Sequence, residues 1–152
     1  MVFRPPVGHG VDDLTTLIMH PISTRLHGLL DYSLGLLLIV SPTLFHFRYG
    51  GFETWVPTAI GFISIGYSLF TDYELGVFKL LPMTAHLRID FLASATLLAS
   101  PWLFAFDGVV RWPHLCLGVL GIGIVVLSQR HPVGQLSQED QADASHGHPG
   151  PA

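Results

Sequence analysis

The stretch HGLLDYSLGLLLIVSPTLFHF, residues 27–47, is the most informative part of the sequence, because the chain contains a second version of it. A histidine and an aspartate stand four positions apart at its start, an apolar run follows, and a Ser-Pro pair comes near its end. Residues 86–106, HLRIDFLASATLLASPWLFAF, repeat this order at a shift of 59 positions. Each version reads as one long apolar helix, so the repeat predicts two copies of a helical unit.

The duplication continues into the apolar run that follows each stretch. The 59-residue shift superimposes His27 on His86, Asp31 on Asp90, Ser41 on Ser100 and Pro42 on Pro101. In the following run the shift is 57, and it superimposes Trp55 on Trp112, Gly61 on Gly118 and Gly66 on Gly123. A connecting loop that is shorter in the second copy explains the change. We therefore predict two copies of one helical hairpin.

The composition is typical of a membrane protein. Hydrophobic residues make up 49% of the 152 and charged residues only 12%, with a mean hydropathy of +0.50, whereas soluble domains carry about 25% charged residues. A net charge of -4 with only seven Lys and Arg residues argues against nucleic-acid binding. The single cysteine, Cys116, excludes a disulfide framework and a cysteine-based metal motif.

Four uncharged runs are the candidate membrane spans: residues 32–47, 54–71, 91–106 and 112–129. Because about 20 helical residues are needed to cross the hydrocarbon core, the first and third runs reach full length only when extended back to Thr24 and Thr84. We therefore expect an all-α polytopic membrane protein with four transmembrane helices, arranged as two parallel helical-hairpin repeats.

The expected boundaries follow from these spans. The repeats take residues 24–73 and 84–130, and a cytoplasmic loop, residues 74–83, joins them. Residues 1–23 form an N-terminal cytoplasmic segment in which a short interfacial helix is expected. Residues 131–152 are polar and rich in Gly and Pro, so we expect a disordered tail.

Charge sets the expected orientation. Five Lys and Arg residues lie on the side of the termini and the middle loop, and two, Arg48 and Arg111, lie on the other side. The positive-inside rule then places both termini in the cytoplasm, with the protein in the cell's inner membrane. His46 and His114 come next to the loops on the outer side and are expected to be interfacial.

The repeated motif resembles that of a known family. SPWLFAF in the second copy, SPTLFHF in the first and the aligned H-x-x-x-D pairs are similar to the SPW-repeat family of small bacterial membrane proteins, over about residues 22–129. The first copy has Thr43 where the second has Trp102, so this tryptophan is not essential in both halves. The resemblance implies an integral membrane protein with two repeats and implies no reaction, substrate or cofactor.

The paired polar residues His27, Asp31, His86 and Asp90 form the candidate site. At 100° per residue each pair shares a helix face with the Ser-Pro motif, so two copies related by a near-twofold axis are expected to bring the pairs together. One interpretation is structural, with the pairs hydrogen-bonding between spans. The other is a metal or proton site, or a haem held by the two histidines.

The function expected from these features is a structural or interaction module in the membrane. The alternatives are a metal- or haem-binding redox subunit that uses the His/Asp pairs, and a small transporter or channel. We expect no enzymatic activity and no cofactor; the expected partners are the lipid bilayer, further copies of the chain or other membrane proteins. Ser41, Pro42, Ser100 and Pro101 are expected to shape the helices, because each proline removes an amide donor and each serine can bond the freed carbonyl.

Overall fold

The computed structural model describes residues 21–129, which contain four α-helices. They are α1 (Thr24–Leu44), α2 (Phe52–Leu69), α3 (Met83–Leu103) and α4 (Trp112–Leu127). The expectation of an all-α chain with four helices is confirmed. The interfacial helix expected before α1 and the disorder expected in the tail fall outside the described residues.

The Ser-Pro pairs lie inside the last turns of α1 and α3. Pro42 has no amide proton, so it cannot make the usual bond to the carbonyl of Leu38. The Ser41 hydroxyl donates to this carbonyl at 2.9 Å, and in the second copy Ser100 donates to Leu97 at 2.6 Å. The role expected for the serines is therefore seen in both copies.

The same motif ends each helix three residues before the predicted span ends. His46 and Ala105, which are equivalent in the repeat, adopt left-handed conformations with φ of 57° and 54°. The next residues, Phe47 and Phe106, are buried, and each donates its amide to the carbonyl of the motif's proline at 2.9 Å. This is the Schellman motif. A left-handed residue follows the helix, the next amide donates to the carbonyl five residues back, and a buried apolar side chain accompanies that bond.

Trp102 takes no part in this arrangement. Its side chain is exposed, as is that of Thr43 at the equivalent position. The motif closes both helices through its serine, proline and last phenylalanine, which explains why the first copy can lack the tryptophan.

Each hairpin is closely packed along its length. α1 packs chiefly on α2 and α3 on α4, while α2–α3 and α1–α4 contacts complete a ring. A side chain on Gly61 would place its Cβ 2.5 Å from the Gly35 carbonyl oxygen, and one on Gly118 would place it 2.9 Å from the Leu98 Cα. Small residues at both positions therefore allow the backbones to approach.

Gly61→Ala should lower the free energy of unfolding by about 1–3 kcal/mol, because the added methyl group overlaps backbone atoms that cannot move independently. Gly66→Ala, on the same helix, is the matched control: a Cβ there meets no atom within 4 Å, and the gain in helix propensity of up to about 1 kcal/mol should leave stability unchanged or raised. Unfolding in mild detergent measures both. Equal effects of the two substitutions would contradict close packing at Gly61.

Two short backbone bridges close the end of the bundle that carries the His/Asp pairs. Ile22, just before α1, pairs with Ser128, just after α4, and Leu81, just before α3, pairs with Thr71, just after α2. The repeat shifts carry one bridge onto the other. The bridges thereby hold Ser128 and Thr71, which both carry a hydroxyl group, at this end of the bundle.

The bundle is polar inside and apolar outside. Among residues 21–129, more polar and charged side chains than hydrophobic ones are buried, and large hydrophobic side chains are exposed on every helix. By length and composition, α1 qualifies as a membrane span within this part of the chain, and α4 is apolar but has 16 residues.

Candidate functional site

The four polar residues of the repeated H-x-x-x-D pairs meet between α1 and α3. Nε2 of His86 lies 2.8 Å from Asp31 Oδ2 and 2.9 Å from Asp90 Oδ2. Nε2 of His27 lies 3.1 Å from Asp90 Oδ2 and 3.3 Å from Asp31 Oδ1. All four side chains are buried. Each histidine therefore contacts the aspartate of its own helix and the aspartate of the other repeat; we call this group the His/Asp cluster.

The hydroxyl of Thr71 determines which ring nitrogen of His86 carries a proton. Thr71 Oγ1 donates its single proton to the Tyr67 carbonyl at 2.9 Å. Toward Nδ1 of His86, 2.8 Å away, the hydroxyl can only accept, so this nitrogen must be the donor. The proton on Nδ1 leaves Nε2 of the neutral ring with a bare lone pair that faces two carboxylates.

His27 has the same kind of hydrogen bond, made with Ser128 of the second repeat. Ser128 Oγ donates to the Ile124 carbonyl at 2.5 Å and accepts from Nδ1 of His27 at 2.7 Å. Both imidazoles thus present Nε2 to the carboxylates with Nδ1 already committed. Since lone pairs repel carboxylate oxygens, the centre requires positive charge, either a proton on each Nε2 or a cation among the four groups.

The surroundings of the two carboxylates differ. Tyr67 donates its hydroxyl to Asp90 Oδ1, and Ser68 donates to Asp31 Oδ2 at 3.5 Å. The 57-residue shift places Ile124 and Val125 at the corresponding positions of the second repeat. Both additional donors therefore come from α2, which makes the centre asymmetric in spite of the duplication.

The loop between α2 and α3 covers the cluster. Tyr73 is buried over Gly28, where any Cβ would collide with its ring, and its ring centroid lies 5.8 Å from that of His86. Thr24 ties this loop to α1 by donating to the Glu74 carboxylate, whose oxygens lie 2.7 and 2.8 Å away. Burial, helped by the negative charge of Asp31, raises the pKa of Tyr73 above its usual range, so the phenol of Tyr73 stays neutral.

The donor set fits a small metal ion. Four tetrahedral ligands at 2.0–2.2 Å around one ion lie roughly 3.3–3.6 Å from one another, and the N–O separations in the cluster are 2.8–3.3 Å. One ligand atom from each residue lies within 4.8 Å of all the others, so movements of about 1 Å or less would complete a shell. The Nδ1 hydrogen bonds are the outer-shell contacts that metal-ligating histidines usually make.

A haem does not fit this arrangement. Both Nε2 atoms that would bind the iron are within 3.3 Å of carboxylates, and the imidazole centroids are only 5.3 Å apart. The cavity that adjoins the cluster measures about 30 Å³, which is far too small for a porphyrin between the rings.

Sequence analysis did not single out Thr71, Ser128 and Tyr67 as parts of the site. A signal for the first two was present, because the 57-residue shift superimposes Thr71 on Ser128 and keeps a hydroxyl at both positions. Tyr67 has no such signal. His114, expected at the outer interface, lies in the first turn of α4 but inside the bundle: it is 1% exposed, packs against Phe47 and Phe106, and donates from Nε2 to the Glu53 carbonyl.

One of three comparisons with known proteins gives a match, and it is to the family that the repeated motif resembles. Curated proteins and solved structures give no match. The model of the SPW repeat domain matches residues 25–128, which include both Ser-Pro motifs and all four residues of the His/Asp cluster. Because this match covers both hairpins and more than half of the chain, the chain belongs to the SPW repeat family.

Proposed function

We propose that this chain is an integral membrane protein that crosses the bilayer four times and binds one divalent first-row transition-metal ion at the His/Asp cluster. The observation that carries the metal proposal is the convergence of two Nε2 atoms and two carboxylates, with both Nδ1 atoms held from outside.

The surface of the bundle supports the membrane part of the proposal. Leu36, Phe62, Leu92 and Val119, one near the middle of each helix, are 58–66% exposed. Apolar surface on all sides of a bundle is unusual for a protein in water, and it suits a lipid environment. α3 is less apolar than α1 because its first turns carry His86, Arg88 and Asp90; the bundle buries His86 and Asp90, and Arg88 is exposed.

Reporter fusions can show on which side of the membrane each end of the bundle lies. Reporter fusions at the Lys79 loop and after the last residue are expected to report the cytoplasm, because two spans separate these points and positive charge favours that side. A fusion at Gly108, in the loop between α3 and α4, is the opposite-side control. Reporters on opposite sides at the loop and the C-terminus would contradict four spans.

Charge balance supports a divalent ion. Two carboxylates in a buried centre need about two compensating positive charges, and one divalent ion with two neutral imidazoles supplies them. Imidazole ligands favour zinc, copper, iron and nickel, and carboxylates also suit manganese. The thiol of Cys116 is exposed on α4, so the cluster offers a nitrogen and oxygen donor set.

A metal titration tests the proposal. The full chain, purified in mild detergent and stripped with a chelator, is expected to bind one Zn²⁺ or Co²⁺ per chain and to unfold at a higher temperature when loaded, since a ligand that binds the folded state stabilises it. The competing function is a purely structural polar core, in which both imidazoles are protonated and the same contacts become ion pairs. Absence of stoichiometric binding would favour the structural function.

Metal affinity is expected to depend on the Thr71 hydroxyl, which accepts a hydrogen bond from Nδ1 of His86. Thr71→Val removes the acceptor for Nδ1 without touching a proposed metal ligand, and metal affinity is expected to fall by about 10–100-fold. Thr58→Val is the matched control, because Thr58 also donates to the carbonyl four residues back, at 2.7 Å, but lies away from the cluster. Isothermal titration with Zn²⁺ compares the two, and equal affinities would contradict the role assigned to Thr71.

A further inference from the structure

A small cavity lies against the His/Asp cluster inside the bundle. It measures about 30 Å³, and three of the four cluster residues line it: His27, Asp31 and Asp90. Leu38 closes the far side as part of the buried apolar group Leu38, Leu97 and Leu117. A water molecule needs at least about 10–15 Å³ of such space, so the cavity can hold a small ligand beside the cluster.

Polar groups from two helices also line this cavity. Ser64 and Tyr67 come from α2 and Ser94 comes from α3. The repeat shifts carry Ser64 onto Gly121 and Ser94 onto Gly35, so each hairpin has one serine and one glycine at this level, on opposite helices. A Cβ at Gly121 would collide with the Ser94 hydroxyl, so the glycine leaves room for that hydroxyl at the wall of the cavity.

From this geometry we infer that the metal centre keeps one coordination position open toward the cavity and takes there one exogenous ligand of water size. The inference rests on the metal-binding function proposed above. Structural metal sites are closed by protein ligands, whereas sites that act on small molecules keep an open position. Here a cavity with the hydroxyls of Ser64 and Ser94 in its otherwise largely apolar wall lies next to three of the ligand residues.

The size and lining of the cavity define the ligand class. Water or a diatomic anion fits, and the Ser94 hydroxyl can donate to it. The ligand class is therefore one small oxygen, nitrogen or carbon donor, which separates this centre from one that binds an organic substrate.

The Co²⁺-loaded full chain in mild detergent tests the inference, because the visible absorption of Co²⁺ is strong with four ligands and weaker with five or six. Wild type is expected to show the weaker spectrum and to change it on addition of cyanide. Ser64→Val fills the cavity and should convert the spectrum to the four-ligand form. Ser94→Ala removes one donor without adding volume and should weaken cyanide binding several-fold while the weaker spectrum remains.

Ser33→Val is the control, because Ser33 is exposed on α1 and donates to the Leu29 carbonyl at 2.8 Å. It should leave both the spectrum and cyanide binding unchanged. A four-ligand spectrum in wild type that cyanide does not alter would overturn the open position while leaving metal binding intact. A chain that binds no Co²⁺ would refute the proposed function, and this inference with it.

Discussion

Metal affinity is expected to fall by more than about 100-fold in His27→Gln and in His86→Gln. Each substitution removes one of four proposed ligands, and loss of an outer-shell contact alone costs about 10–100-fold at metal sites. Glutamine approximates the length of histidine but replaces the imidazole nitrogen, so the packing around the cluster is largely kept. The two variants should be affected alike, because the imidazoles make equivalent contacts in the two repeats.

Titration of the purified variants with Zn²⁺ and Co²⁺ measures this effect. His46→Asn is the control: His46 is exposed in the turn after α1 and has a positive φ that asparagine tolerates. It should bind one metal ion with wild-type affinity. If the cluster variants also keep that affinity, any bound metal lies elsewhere and the His/Asp cluster is not the site.

In the metal-free protein, His86→Leu is expected to lower the free energy of unfolding by about 3–5 kcal/mol. His86 lies within 2.9 Å of both carboxylates, and its removal leaves buried negative charge without a partner. Asp31→Leu alone should also destabilise the chain. The double variant should lose much less than the sum of the two, because it leaves the pair of His27 and Asp90, 3.1 Å apart.

Unfolding in mixed detergents, followed by circular dichroism, measures all three variants. Asp72→Asn is the control, because Asp72 and Lys79 form an exposed pair at 4.0 Å, and exposed pairs contribute about 0–1 kcal/mol. Simple additivity of His86→Leu and Asp31→Leu would contradict an energetically coupled cluster. So would an effect of His86→Leu as small as that of Asp72→Asn.

The features that depend on local chemistry could be predicted from the amino-acid sequence. Apolar runs with few charges specify helices, so four helices were expected and four are present in residues 21–129. The Ser-Pro motif contains its own hydrogen-bonding partners, because the carbonyl freed by Pro42 lies within reach of the adjacent serine. Duplication at constant shifts identified the repeat, and a histidine and an aspartate four residues apart share one helix face wherever the helix lies.

Which atoms meet between the two copies depends on tertiary packing. His27 reaches Asp90 and His86 reaches Asp31 across 63 and 55 positions, and these contacts depend on how α1 and α3 are rotated and shifted against each other. The hydroxyls of Thr71 and Ser128 reach the imidazoles because short bridges fix the chain just beyond α2 and α4. Helical period specifies the face of a residue but not the depth or partner of that face, since these follow from the packing of distant segments.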